Sequence, residues 1–420
     1  MVQTLTLHFK LLKFSSCSLL LQIQLPLPPP ELSNLQAKQK VEKIKEKGKR
    51  KERERGERLN MLEVQSLKKA LVPKSLIPNP SPGNLQSTRL ALHVKEDASP
   101  PSCWVYVASG CRIYKVLVRM GGSFVYQGKE SLLIPQETLV LDSAVLNCCP
   151  HRSEIQSIVL AETESSGSFI LGSVDSYGHL IVSKLDGSGD DVNNFSFSVS
   201  PRDFGAGESG WAGLCFNPSQ WSMAAVARSF CKSIDIYDQD IHLRTLRTRL
   251  WYPSSLIFMN NFYGGSEGSV LAVAEGSQLT VWDLRIKENS GCVHRICGSV
   301  GDMVYAVCSS PTGTIAAGGA DRTVTVYDPR RWCALSRWLN CSKYEITGLA
   351  FSSLSSDYIY VQGVDYEVLC GNWYESEKAF SFRGDSNWLG FSKCPSRDIV
   401  GGWCDSGNVF VADIGLEKRY

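Results

Sequence analysis

Histidine is scarce in this chain, six in 420 residues, and neither a His-Glu-x-x-His pair nor a Gly-x-x-x-x-Gly-Lys-Ser/Thr phosphate cradle occurs. Helical metalloprotease sites and nucleotide-phosphate loops therefore have no signature here. The 15 cysteines include no Cys-x-x-Cys pair. The nearest approach to a metal cluster, Cys292-Val-His294-Arg-Ile-Cys297, lacks the second half that a structural zinc site needs. No metal, cofactor or catalytic residue is read from the sequence, which places the chain among interaction proteins rather than enzymes. The cysteines are odd in number and scattered, many inside strand-like runs (Cys103, Cys215, Cys308, Cys370). That usage fits buried free thiols in the reducing cytoplasm or nucleus.

Long hydrophobic runs are missing too. Leu11 to Leu27 is apolar but interrupted by Lys13 and too short and polar to span a bilayer, and no small-residue cleavage site follows it. No membrane association and no secretory signal are expected. Acidic residues are absent before Glu31, a composition compatible with an organelle transit peptide. Charge is not strongly of one sign: the net value is +2. That figure averages two unlike regions, because residues 1–60 hold 13 Lys/Arg against 6 Asp/Glu, whereas the remainder carries 31 against 36. A mildly acidic body is a poor surface for phosphate backbones, so no direct nucleic-acid binding is expected.

Residues 1–60 form a low-complexity basic extension, with Lys-Gly-Lys-Arg-Lys at 47–51 and Glu-Arg-Glu-Arg-Gly-Glu-Arg at 52–58. Such a segment cannot bury a core. It reads as a disordered tail, a basic nuclear-address patch, or non-native sequence upstream of a start at Met61. Residues 61–100 read as a Pro/Ser-rich linker with one strand-like run, Thr88 to Val94, which is either linker or a strand that supplements the first or last blade.

What the chain has is a rhythm. Ile315 to Gly318, a turn at Ala320-Asp321-Arg322, then Val324-Thr-Val-Tyr-Asp328 is an alternating hairpin ending on an aromatic-Asp pair. Ser233-Ile-Asp-Ile-Tyr-Asp238 and Leu279-Thr-Val-Trp-Asp283 end in the same way, and Tyr237, Trp282 and Tyr327 are 45 residues apart both times. Weaker copies follow Asp175, Asp365 and Asp405, and Trp104 to Val116 supplies a degenerate first one. That makes seven units over residues 101–415, with 416–420 as a tail, at the period of a four-stranded propeller blade. No stretch of helical period appears after residue 101. The expected class is all-β.

These repeats resemble the WD40 family over about three quarters of the chain, most strongly at 211–330. The resemblance implies a seven-bladed β-propeller with degenerate outer blades, acting as a protein–protein interaction scaffold. One departure is the missing Gly-His pair that usually opens a repeat, with neither His179 nor His294 at the matching place. The family's buried Asp-His-Ser/Thr-Trp network is therefore expected to be absent.

Two sets of partner-binding residues follow. The run Ile315 to Arg330 resembles the box of WD40 proteins that dock on the DDB1 adaptor of cullin-4 ubiquitin ligases. Val270 to Arg285 resembles it more loosely. The implied alternative function is that of a substrate receptor docking through Arg285 and Arg330, each two residues beyond Asp283 and Asp328. The competing reading is a local Asp–Arg ion pair at each strand end. Separately, Trp211, Trp251, Tyr252, Tyr305, Tyr344 and Trp388 stand at or just before strands that open units. They read either as peptide anchors at the channel entrance or as ordinary inter-blade packing.

Overall fold

The computed structural model describes residues 61–416, apart from the loop segments 96–100, 123–125, 129–130, 164–166, 188–190, 204–207, 209, 249–250, 260–267, 288–290 and 299–300. The basic extension 1–60 and the tail from 417 lie outside the described residues. Among the described residues there is no α-helix, and the strands form seven sheets. Five of the sheets are four-stranded and antiparallel, two others carry additional outer strands, and the first strand of each sheet packs against the first strands of its two neighbours, closing a ring. The architecture is a seven-bladed β-propeller.

Blade 1 contains Leu90–Lys95, Ser102–Ser109, Arg112–Arg119 and Val140–Leu146, and blade 2 Ile155–Glu162, Ser168–Asp175, Leu180–Asp186 and Asp191–Val199. Blade 3 runs Ala212–Asn217, Gln220–Arg228, Ser233–Asp238, Ile241–Arg247, and blade 4 Pro253–Phe258, Val270–Glu275, Gln278–Asp283, Cys292–Cys297. Blade 5 has Val304–Ser309, Ile315–Gly319, Val324–Asp328, Cys333–Trp338, and blade 6 Ile346–Phe351, Tyr358–Gly363, Glu367–Asn372, Glu377–Arg383. Blade 7 has Trp388–Lys393, Ile399–Cys404 and Asn408–Leu416, and takes its fourth strand, Leu62–Leu71, from the start of the described chain.

The propeller thus begins at Leu62 and its first blade at Leu90, where the sequence reading had a linker up to residue 100. Leu62–Leu71 was missed because polar Ser66 and Lys68 are buried alongside Leu62, Val64, Leu67 and Ala70, so LEVQSLKKAL shows neither strict alternation nor a continuous apolar run. Leu62, Val64 and Leu67 point inward among Phe410, Ala412 and Ile414, while Glu63 and Gln65 face solvent. Its antiparallel partner, Asn408–Leu416, lies at the far end of the chain.

Middle strands are sandwiched between neighbouring blades, so Val270–Glu275, Ile315–Gly319 and Ile399–Cys404 are buried at every position. Fourth strands alternate, as Cys292–Cys297 does. That alternation puts Cys292 and His294 on one face and Cys297 on the other, so the cysteine–histidine cluster is not a ligand set. Cys103, Cys215, Cys308 and Cys370 are buried in strands, where burial pushes their thiols up.

Residues 120–139 of blade 1 leave their own sheet. Leu132–Ile134 runs parallel to the outer strand of blade 6, pairing Leu132 with Ser381 and Leu133 with Phe382. Gln136–Glu137 runs parallel to Leu62–Leu71, where the Lys68 ammonium donates to Gln136 Oε1 at 2.8 Å. Two exposed sheet edges are thereby covered.

The closing strand should be a sensitive point. Leu67 is fully buried, and Leu67→Ala is expected to cost about 2–5 kcal/mol in chemical denaturation. Leu71→Ala, at an exposed position of the same strand, should change stability by less than about 0.5 kcal/mol.

Candidate functional site

Antiparallel order puts the connections between blades and the turns between second and third strands on one face. The turns between third and fourth strands lie on the other. Every candidate residue can be placed by that rule.

On the first face, the chain segment before blade 1 is bonded across to several other blades. The connection from Leu71 to Leu90 brings Ser87 and Thr88 over the ring of first strands. The Ser87 carbonyl accepts from Phe391 N of blade 7 (2.9 Å) and the Thr88 carbonyl from Ile158 N of blade 2 (3.0 Å). The Ser87 hydroxyl bonds the Gln362 side chain of blade 6. Arg89, 1% exposed, reaches the Pro82 carbonyl (3.0 Å) and Glu154 Oε1 (2.8 Å). Behind this segment a cavity of about 330 Å³ is lined by Leu90, Leu92, Ile158, Leu214 and Leu349 from the first strands.

Trp211 is bonded to that segment. Its indole N–H donates to Thr88 Oγ1 at 3.1 Å, while its ring is buried among Leu256, Phe258 and Trp282. Trp388 is equally buried, edge-on to Phe382 and Phe410. Neither is a surface anchor, because in both cases the ring turns inward between blades. Tyr305 is partly buried.

Trp251, Tyr252 and Tyr344 are exposed, at 42%, 48% and 47%. Phe230, which sequence reasoning missed, is the most exposed ring of the group at 68% and stands edge-on to Tyr252, centroids 6.0 Å apart. It sits in the Arg228–Ser233 turn of blade 3, a position whose repeat-to-repeat alignment carries no aromatic signal. Lys232 Nζ lies 5.0 Å over the Tyr252 ring and Lys343 Nζ 5.2 Å over Tyr344. Trp251 lies across the blade 4 turn at Gly276 (φ +60°), where a Cβ would collide with its ring.

The opposite face carries the arginines. Asp283 Oδ1 accepts from Arg285 N (2.9 Å) and Nε (3.0 Å), and Oδ2 accepts from Nη2 (2.7 Å). The hydrogen bonds from Arg285 hold the Asp283 carboxyl below its ordinary value against the opposing effect of burial. The backbone of Arg330 repeats the arrangement one blade on, donating to Asp328 Oδ1 at 2.9 Å. Blade 6 repeats it again, with Tyr374 N donating to Asn372 Oδ1 at 2.9 Å. Three successive strand ends thus project Arg285, Arg330 and Tyr374 from the same turn.

Blade 2 contains a polar cluster that corrects the sequence reading. His151 precedes the first strand, and its Nδ1 is 3.2 Å from Asp175 Oδ2 and its Nε2 2.7 Å from Ser173 Oγ. The Asp-His-Ser part of the expected-absent network is therefore present, with Pro150-His151 in place of Gly-His. Asp175 Oδ1 accepts from Tyr177 N (3.0 Å) and His179 N (3.1 Å), folding the turn that ends at Gly178 (φ +79°). Burial raises the Asp175 carboxyl, but hydrogen bonds from His151 and Ser153 outweigh it and leave it below the ordinary range. Burial lowers His179, opposed by Asp175 and reinforced by His151 and Arg152.

No family model matches the chain, and no curated protein does. Similar solved structures include a chain in the crystal structure of the mitotic checkpoint complex, at 14% identity and a TM-score of 0.57, covering 84% of this chain and 93% of that one. Raptor of Chaetomium thermophilum is similar at 12% identity and a TM-score of 0.58, over 86% of this chain and 30% of that one. The likeness to both is one of fold, a seven-bladed β-propeller.

Within this propeller, the blade 4 turn holds a titratable group that no ion pair explains. Glu275 is 1% exposed, Oε2 has no hydrogen-bond partner, and burial pushes its carboxyl up to about 7, partly opposed by Arg295. A carboxyl raised in the folded state keeps a proton that the unfolded chain loses above about pH 4.5, so its contribution to stability falls as pH rises from there through 7. Glu275→Gln should therefore raise stability at pH 8 by about 3 kcal/mol, at about 1.4 kcal/mol per unit, and leave it unchanged at pH 4. Urea denaturation at the two pH values checks this.

Proposed function

We propose that this propeller is a non-enzymatic protein–protein interaction scaffold of the cytoplasm or nucleus, holding a partner against the aromatic face of blades 3 to 6. The observation that supports it is the exposed set of Phe230, Trp251, Tyr252 and Tyr344, two of its rings overlaid by lysines. Large rings at the surface lose little entropy on binding and gain much buried area, which makes them interface anchors. The lysines favour a partner segment that is apolar with flanking acidic residues.

Affinity purification of the intact protein, compared with a Phe230→Ala/Trp251→Ala/Tyr252→Ala variant, tests the reading. A defined set of proteins should be recovered at least tenfold less well with the variant. Equal recovery removes the aromatic face as the docking surface.

A second reading, a substrate receptor of a cullin-4 ligase docked on the DDB1 adaptor, is favoured by one feature of the opposite face. Asp283 and Asp328 hold the backbone of Arg285 and Arg330 in the same turn on adjacent blades. A repeated arginine at fixed spacing is a donor array that a partner's carbonyls and carboxylates can match. Arg285 is already clasped by Asp283, so docking must exchange or share that pair. The purified adaptor should bind the intact protein and lose at least tenfold in affinity against Arg285→Ala/Arg330→Ala. Absence of binding to the unaltered protein, or equal binding to the variant, removes this reading.

A further inference from the structure

We propose that His151, Asp175 and His179 form a binding site for a divalent transition-metal cation of the zinc class, with an open coordination position on the outer side of blade 2. Two imidazoles and one carboxylate are a donor set suited to zinc and its neighbours and poorly suited to magnesium or calcium.

The local fold arranges these three donors. Asp175 ends the second strand, and its Oδ1 is occupied by the backbone N–H groups of Tyr177 and His179. That fixes the carboxyl plane and aims Oδ2 at both rings, 3.2 Å from His151 Nδ1 and 3.8 Å from His179 Nδ1. The three donor atoms all lie within 4.8 Å of one another. A tetrahedral cation with bonds of about 2.0–2.1 Å spaces its donors about 3.3 Å apart, so closure asks only that the partly exposed His179 ring swing inward.

A hydrogen bond between His151 and Asp175 accounts for one ring and leaves the other unexplained. At 3.8 Å, His179 Nδ1 is beyond hydrogen-bond range of Oδ2, yet it is directed at the same oxygen. The outer shell fits a ligating His151. Ser173 Oγ lies 3.4 Å from the Ile181 carbonyl, to which its hydroxyl donates. Metal binding displaces the Nδ1 proton bonded to Asp175 Oδ2, after which Nε2–H donates to Ser173 Oγ, 2.7 Å away, and Nδ1 faces the cation. A cavity of about 670 Å³, lined by Cys148, Arg152, Tyr177, His179 and Ser198 among others, opens onto the cluster. The fourth position is therefore reachable by water or by a partner's side chain.

Cobalt(II) titration of the full chain under reducing conditions, followed by visible absorption and competed with zinc, tests the proposal. One equivalent should bind with d–d bands and no thiolate charge-transfer band, and His179→Ala should weaken binding at least tenfold. That variant leaves the Asp175, His151 and Ser173 bonds in place, so an unchanged thermal melt without metal shows that the fold is intact. Asp175→Asn should weaken binding as well. No cobalt uptake by the unaltered protein, a thiolate band, or equal affinity in His179→Ala would overturn the site.

Discussion

Everything in this molecule hangs on one antiparallel pairing, Leu62–Leu71 with Asn408–Leu416. A propeller blade is a small sheet that buries both faces only against two neighbours, so a ring open at one point leaves two blades half exposed. Supplying the last sheet's outer strand from the opposite end of the chain converts an open stack into a closed one. The cost is entropic, because the pairing joins residues 337 to 354 apart along the chain. The strap at 132–137 then lies along the edges of blades 6 and 7 on either side of that joint.

The blades legible in the sequence were those whose third strand ends in an aromatic-Asp pair, because the same burial geometry imposes the same residues each time. Tyr237 and Trp282 are fully enclosed, and Asp283 and Asp328 close turns through backbone N–H groups. The closing strand was illegible for the opposite reason. Its outer edge meets only a two-residue strap and its buried positions include Ser66 and Lys68, so LEVQSLKKAL carries no continuous apolar run, and nothing local points to its partner. The site residues divide along the same line. Whether a ring before a first strand turns inward, as Trp211 and Trp388 do, or outward, as Trp251 and Tyr344 do, depends on neighbouring blades rather than on its own repeat.

The two faces differ in what they can offer a partner. The blade-connection face carries the Ser87–Arg89 segment, bonded across to blades 2, 3, 6 and 7, and its exposed rings lie toward blades 3 to 6. The opposite face presents residues held two positions beyond a turn-forming Asp or Asn, with identity varying from Arg285 and Arg330 to Tyr374 while the backbone stays constant. A constant turn with variable side chains is a mounting, and its specificity resides in the residue it holds out.

The same device works on both faces, and blade 2 shows what it leaves over. Asp175, Asp321 and Asp365 each spend Oδ1 on backbone N–H groups of the turn between second and third strands. That use is structural and common to three blades. The second oxygen is not needed for the turn, and its surroundings differ. At Asp365 burial raises the carboxyl. At Asp175 two imidazoles converge on Oδ2 instead, one from the connection before the blade and one from the turn itself. A carboxylate already oriented by its turn needs little further ordering to bind a cation, which is why the extra histidine in blade 2 turns a folding motif into a donor set.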